Sequence, residues 1–250
     1  MSKIVTLSNH KGGVGKTTST INIGAALNQL GKRVLLIDLD PQANLTQSLR
    51  LLTADSTQTI YGAIRGASAI KPIQVAQGFD VVPSTLDLSG AEIELSGEAG
   101  REYILKELLE PLKNQYDFIL IDSPPSLGLL TLNALSASDE VLIPLQAEYL
   151  ATQGLSKLLE VVEKIQKRLN KGLTIGGVFI TQYDGRKVLN RNVADTVGGH
   201  YGQHLLRAKI RDNVALAESP AAGLDIYRYS PKSNGAEDYT ALISELLSKW

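Results

Sequence analysis

Apolar residues cluster along the chain in short, nearly unbroken runs at residues 3–8, 33–38, 79–83, 117–122, 140–144 and 174–181. Runs of this length, rich in Val, Ile and Leu, predict strands covered on both faces, as in a parallel sheet. The stretches between them follow a helical period. Residues 16 to about 30 read as a helix, with Gly31 at the expected C-cap. From about 151 to 169, Leu155, Leu158, Leu159, Val162 and Ile165 fall on one helical face. Near the C-terminus, Tyr239, Leu242, Ile243, Leu246, Leu247 and Trp250 form a second such stripe, expected to pack on the core. Alternating strands and helices predict an α/β fold with a mostly parallel, twisted sheet between two layers of helices. No internal repeat or low-complexity linker interrupts the 250 residues, so one domain over 1–250 is expected.

Composition narrows the chemistry. The chain has no cysteine, which excludes disulfides, thiolate zinc sites and cysteine-held iron–sulfur clusters. The formal net charge is −1, so any nucleic-acid contact must come from a local basic patch. No apolar run is long enough to span a bilayer and no signal-peptide pattern opens the chain; a cytoplasmic protein is expected.

The densest chemical signal lies between the first strand and first helix: Lys11, Gly12, Gly13, Val14, Gly15, Lys16, Thr17 and Thr18. It fails the usual GxxxxGK[ST] phosphate-loop pattern because His10 stands at the first glycine, and it fits the deviant form with an extra lysine at the loop's start. Glycines let the main chain curl so that its N–H groups face phosphate oxygens, and the following helix adds its partly positive N-terminus. Lys16 is placed to reach the β- and γ-phosphates, and the Thr17 hydroxyl to ligate Mg²⁺. Lys11 is too early in the loop to duplicate Lys16.

Two acidic clusters belong at the C-terminal edge of the same sheet, where open α/β folds bind ligands. Asp38 and Asp40, in Asp38-Leu39-Asp40-Pro41-Gln42, point to one side of an extended chain. Asp122 ends the apolar run 118–121 and is followed by Ser123-Pro124-Pro125. Carboxylates at such positions suit Mg²⁺-bound water and the activation of an attacking water.

Together with Thr181-Gln182-Tyr183-Asp184-Gly185-Arg186, these motifs resemble the ParA (Soj-like) branch of the ParA/MinD ATPases over nearly the whole chain. The resemblance implies a three-layer P-loop NTPase fold, ATP and Mg²⁺ as cofactors, and an ATP-dependent nucleotide-sandwich homodimer. It implies that Lys11 crosses to the partner's phosphates. Asp40 would position the attacking water, and Asp38 and Asp122 would act on Mg²⁺ through water. Hydrolysis is expected to be slow until a ParB-like or other adaptor protein stimulates it. The family also binds non-specific double-stranded DNA through basic residues of its C-terminal half, so an ATP-bound, nucleoid-associated state is implied. Candidates are Arg186, Lys187, Arg191, Arg207, Lys209 and Arg211. Ala215 stands where related chains often carry a further arginine. Arg211 and Asn213 fall in the segment that holds adenine in the family.

Siblings fit less well. A MinD-like membrane cycle needs a basic amphipathic tail, whereas Glu237, Asp238 and Glu245 oppose anionic lipid, so no membrane contact is expected. The nitrogenase iron-protein type needs cysteines. A small-molecule kinase of the dethiobiotin-synthetase type is disfavoured by Asp40-Pro41-Gln42. With its first strand at the start of the sequence, no helix-turn-helix extension is expected. His10 reads as a plain loop residue. His200 and His204 are four apart, but Gly198, Gly199 and Gly202 argue against the regular helix that would pair them on a metal. Residues 86–100, with Glu92, Glu94 and Glu98, read as a surface helix and loop available to a partner.

Overall fold

The computed structural model describes residues 2–51, 55–148 and 151–250, apart from the side chains of Ser56 and Ala151. Its strands are β1 (Lys3–Leu7), β2 (Val34–Asp38), β3 (Ile73–Ala76), β4 (Phe79–Val82), β5 (Phe118–Asp122), β6 (Glu140–Gln146), β7 (Thr174–Tyr183) and β8 (Leu205–Arg211). The α-helices are α1 (Lys16–Gln29), α2 (Asn44–Ser48), α3 (Ile60–Ile64), α4 (Leu88–Glu94), α5 (Ile104–Leu109) and α6 (Leu129–Ala137). They continue with α7 (Ala151–Arg168), α8 (Val188–Tyr201), α9 (Val214–Ala222), α10 (Ile226–Tyr229) and α11 (Asn234–Leu247).

The strands form one eight-stranded sheet in the order β3-β4-β2-β5-β1-β6-β7-β8, parallel throughout except for β3. Alternate residues of each strand feed opposite layers, as the two-residue period requires. Val34, Leu36, Phe118, Leu120, Leu142 and Phe179 join α1 and α11 on one face. Leu35, Ile37, Ile119 and Ile121 meet α3–α6 on the other. Val141, Ile143, Val178 and Ile180 meet α7 and α8. A Cβ at Gly24 would lie 2.7 Å from Leu36 Cδ2 and 3.0 Å from Phe79 Cε2, so α1 lies close on β2 and β4 because that residue has no side chain.

β1 sits between β5 and β6, and the chain departs from it toward β2 on one side and returns to β6 on the other. Its C-terminal end is therefore a topological switch point, the crevice in which open α/β sheets place ligands. Register puts Leu7 beside Asp122, and Asp122 beside Asp38. The phosphate-loop lysines and both acidic clusters thus share one sheet edge.

The C-terminal stripe is core, as expected: Tyr239, Leu242, Ile243 and Leu246 are buried. Two strands were not foreseen, β3 and β8. The glycine argument at His200 is corrected: α8 runs through Gly198 and Gly199 to Tyr201, held by buried Val193, Ala194 and Val197. His204 lies beyond it, and the described residues contain no group of three or more His, Asp or Glu able to hold a metal ion. No helix among the described residues is long and apolar enough to cross a membrane.

Candidate nucleotide site

The loop between β1 and α1 is shaped by its glycines. Gly13 and Gly15 have φ of +75° and +86°, in the left-handed region that side chains resist. Gly15 is the N-cap of α1, whose first residues are Lys16 and Thr17, so free main-chain N–H groups face the crevice. The space at Gly12 and Gly13 is open, with nothing within 4 Å of a built Cβ. The loop is braced from β7: Thr181 Oγ1 donates to Val14 O at 2.8 Å, and Gln182 Nε2 donates to Gly13 O at 2.7 Å. Gln182 holds a φ of +51°, uncommon for a side-chain-bearing residue, and its Oε1 accepts from Gln146 Nε2 at 2.7 Å.

The two loop lysines occupy opposite environments. Lys16 is buried and its Nζ donates to Lys11 O at 3.1 Å. Burial lowers its pKa, while Asp122 and Asp40 oppose that shift. Lys11 is half-exposed, and its Nζ pairs with Glu148. A cavity of about 360 Å³ is lined by Gly12, Gly13, Lys16, Thr17, Asp40 and Pro125 among others; Lys11 does not line it.

The carboxylates differ in how they are held. Thr17 Oγ1 donates to Asp122 Oδ2 at 2.6 Å, while the buried Asp122 Oδ1 has no partner. Burial, then the nearby Asp38, pushes Asp122 well above the usual carboxylate range. Asp38 spends both oxygens locally: Oδ1 accepts from Asp40 N at 3.2 Å, and Oδ2 from Thr46 N at 2.9 Å and Thr46 Oγ1 at 2.7 Å. Burial still raises it to about 6. Asp38 thereby fixes the turn that carries Asp40, whose Oδ1 accepts from Gln42 N at 2.9 Å.

A second cavity, about 290 Å³, opens beside the first and shares Gly15, Thr18 and Gln182 with it. Arg211, Asn213, Leu216 and Tyr239 form its far wall. Its mixed apolar and polar lining and its continuity with the phosphate loop suit a nucleobase. Asn213 itself is occupied, capping α9 by accepting from Ala215 N and Leu216 N. Leu216 and Tyr239 were missed in the sequence because they pattern as core, and Thr46 because nothing in its spacing links it to Asp38.

The basic candidates divide into two places. Arg186, Lys187 and Arg191 surround the turn from β7 into α8, where Arg186 pairs with Asp184 at 3.0 Å and Arg191 Nη1 donates to Gly185 O at 2.7 Å. Arg207, Lys209 and Arg211 alternate along the edge strand β8. Lys209 Nζ lies over the Tyr183 ring at 4.5 Å. Arg211 is held by Asp238 and Glu237, each at 2.6 Å, and faces the second cavity.

Comparison with known proteins agrees with this architecture. The AAA domain family matches residues 2–175. The sporulation initiation inhibitor protein Soj of Bacillus subtilis is 47% identical over 249 residues, covering 98% of each chain. The chromosome-partitioning ATPase Soj of Treponema pallidum is 44% identical over 252 residues, covering 100% of this chain and 98% of that one. Among solved structures, the cobyrinic acid a,c-diamide synthase of Mycobacterium smegmatis with bound ATP analog and magnesium superposes with a TM-score of 0.88 at 36% identity, over 100% of this chain and 96% of that one. On the extent and identity of these matches, the chain belongs to the AAA domain family and, within it, to the ParA/Soj branch of the deviant-Walker P-loop ATPases.

Proposed function

We propose that this chain is a partition ATPase that dimerises on ATP, binds DNA without sequence preference as that dimer, and releases it when a partner protein stimulates hydrolysis. The chain is an ATP hydrolase with ATP and Mg²⁺ as cofactors. Its higher identity to the two Soj proteins supports partition over the synthase chemistry named for the M. smegmatis structure. The reading takes 1–250 as one domain, cytoplasmic and nucleoid-associated when loaded with ATP.

The residues fit the cofactors. Gly12 and Gly13 leave an open cradle, and Asp122 Oδ1 is a buried acceptor without a donor. Because Thr17 donates its proton to Asp122, its oxygen lone pairs remain for a metal. The absence of a three-residue protein cage among the described residues suits an ion held largely by nucleotide oxygens and water. Mg²⁺ held there by Thr17 and, through water, by Asp122 would supply charge neutralisation to the phosphates. Lys16, already desolvated, adds a fixed positive charge to the same place. Asp40 lines the phosphate-side cavity on a turn clamped by Asp38, which suits it to orient an attacking water.

The observation that carries the dimer is the position of Lys11. It stands outside its own subunit's phosphate cavity, exposed, on a loop whose other lysine already serves that cavity. A lysine so placed could exchange its surface ion pair with Glu148 for a second subunit's nucleotide, where a trans-donated cation stabilises transition-state charge. ATP would then hold the two subunits together, and loss of the γ-phosphate would release them.

For DNA, the reading favours Arg186, Lys187, Arg191, Arg207 and Lys209. Arg211 is a poorer candidate because two acids, Asp238 and Glu237, hold its half-buried guanidinium, whereas Arg186 meets Asp184 alone and stays 92% exposed. The test is binding of random-sequence duplex by Asp40→Ala protein, with ATP against ADP, over a salt series. ATP-dependent binding with a log–log slope of about −0.9 per phosphate contact supports the reading. Equal binding, or none, in both nucleotides by a protein that dimerises removes the DNA claim.

A further inference from the structure

The buried face of α8 is Asn190, Val193, Ala194 and Val197, a helical i, i+3, i+4, i+7 stripe whose first member is polar. Val193, Ala194 and Val197 pack in the core with Val141, Ile143 and Ala147. A buried amide is costly unless it is hydrogen-bonded, and Asn190 is bonded at both ends. Its Oδ1 accepts from Asp184 N at 2.8 Å, and its Nδ2 donates to Ala147 O at 2.9 Å. The two partners fix the orientation of the amide, since a main-chain N–H only donates and a carbonyl only accepts.

Each end belongs to a different working part. Asp184 opens the basic turn. Its Oδ1 accepts from Arg186 N and Arg186 Nε, each at 3.0 Å, and Arg191 Nη1 closes the turn on Gly185 O at 2.7 Å and Arg186 O at 3.1 Å. Ala147 follows β6, between two residues that hold the phosphate loop. Gln146 Nε2 donates to Gln182 Oε1 at 2.7 Å, and Gln182 Nε2 passes the contact to Gly13 O at 2.7 Å. Glu148 pairs with Lys11. Earlier on the strand, Pro144 O accepts from Asn9 Nδ2 at 2.8 Å. Residues 144–148 thus brace the loop 9–13 at three points, and Asn190 bonds the same segment to the turn that carries Arg186.

We propose that Asn190 is a positioning residue coupling the basic turn to the nucleotide loop, so that Lys11 leaving Glu148 for the partner's nucleotide resets that turn for DNA. The proposal rests on the ATP-gated DNA reading above. The apolar face of α8 is locked in the close-packed core, so a shift at residues 147–148 is passed to the exposed residues 185–187 rather than absorbed by the helix.

The test uses full-length Asp40→Ala protein and a dye-labelled random-sequence duplex, with affinity read by fluorescence anisotropy in ATP and in ADP. Asn190→Asp is isosteric: it keeps an acceptor for Asp184 N and removes the donor to Ala147 O. Adding it is expected to leave the ATP dimer, measured by light scattering, and the DNA affinity in ADP as in the parent. The ATP advantage in DNA affinity is expected to fall about fivefold or more, the lower end of couplings between sites. An unchanged ATP advantage overturns the coupling. So does an equal loss in both nucleotides, which makes Asn190 a brace of the turn alone, or loss of the ATP dimer, which makes it a brace of the subunit interface. If the buried carboxylate unfolds the protein, Asn190→Ser, smaller and uncharged, is measured in its place with the same outcomes. A parent protein with no ATP advantage removes the DNA reading itself, and the coupling with it.

Discussion

Lys16 Nζ donates to the main-chain oxygen of Lys11 at 3.1 Å, so the lysine that faces the phosphate cavity also fixes the backbone of the lysine that turns away from it. Lys11 N is anchored as well, donating to Asn9 Oδ1 at 3.1 Å, while Asn9 Nδ2 reaches Pro144 O at 2.8 Å. The loop thus presents two cations in two directions from one rigid frame.

Lys16→Ala removes the buried cation of the phosphate cavity. Nucleotide affinity, followed by calorimetry, is expected to fall by about a hundredfold or more, roughly 3 kcal/mol. The loop also loses its tie to Lys11 O, so this variant is expected to fail in dimerisation too.

Asp40→Ala keeps the cradle and the Thr17–Asp122 pair intact. ATP binding is expected to persist while turnover falls by about 10²–10⁴-fold, the usual worth of a positioned acid–base group. An unchanged single-turnover rate would remove Asp40 from its assigned role.

Arg186 and Asp184 give a pH-dependent reporter of the basic turn. Hydrogen bonds from the Arg186 side chain hold the Asp184 carboxyl down to about 2. A carboxyl whose folded pKa is depressed contributes stability above its unfolded value, near 4, and loses it as pH falls toward 2. Arg186 is almost fully exposed, so the stability effect is small. Arg186→Ala should return Asp184 toward its ordinary value in an NMR titration. The same variant should weaken DNA binding and reduce the salt slope by about 0.9.

Gly24→Val tests the packing of α1 on the sheet. Leu36 and Phe79, which its side chain would meet, are themselves fully enclosed by core neighbours. The expected loss is about 1–3 kcal/mol in chemical denaturation, the usual range for overpacking.

Much of this architecture was legible in the sequence, for physical reasons. Buried parallel strands such as residues 118–122 must be apolar on both faces, and glycines such as Gly13 and Gly15 are fixed by backbone geometry, so both leave strong local traces. β8 is hard to see in the sequence because Arg207, Lys209 and Arg211 give it the composition of a basic patch. Yet Leu206 and Ile210 alternate with them, pointing into the core. The edge it forms is not open to pairing: Glu245 accepts from Arg207 N at 3.0 Å and Ala208 N at 2.9 Å, and Asp238 from Arg211 N at 2.8 Å. Those acidic residues of α11, counted in the sequence only as repelling lipid, therefore act on the sheet. In α8, the glycine penalty of about 1 kcal/mol each is outweighed by burial of the helix's apolar face. The contacts of Glu148 with Lys11 and of Glu92 with Leu130 N are invisible in the sequence because each spans more than thirty residues.

Under the proposed function, Lys11 serves the partner's nucleotide. The most direct measurement is the mass of Lys11→Ala in an Asp40→Ala background, by light scattering with saturating ATP. A nucleotide-bound monomer is expected where Asp40→Ala alone is a dimer. An ATP-dependent dimer of undiminished strength would contradict it.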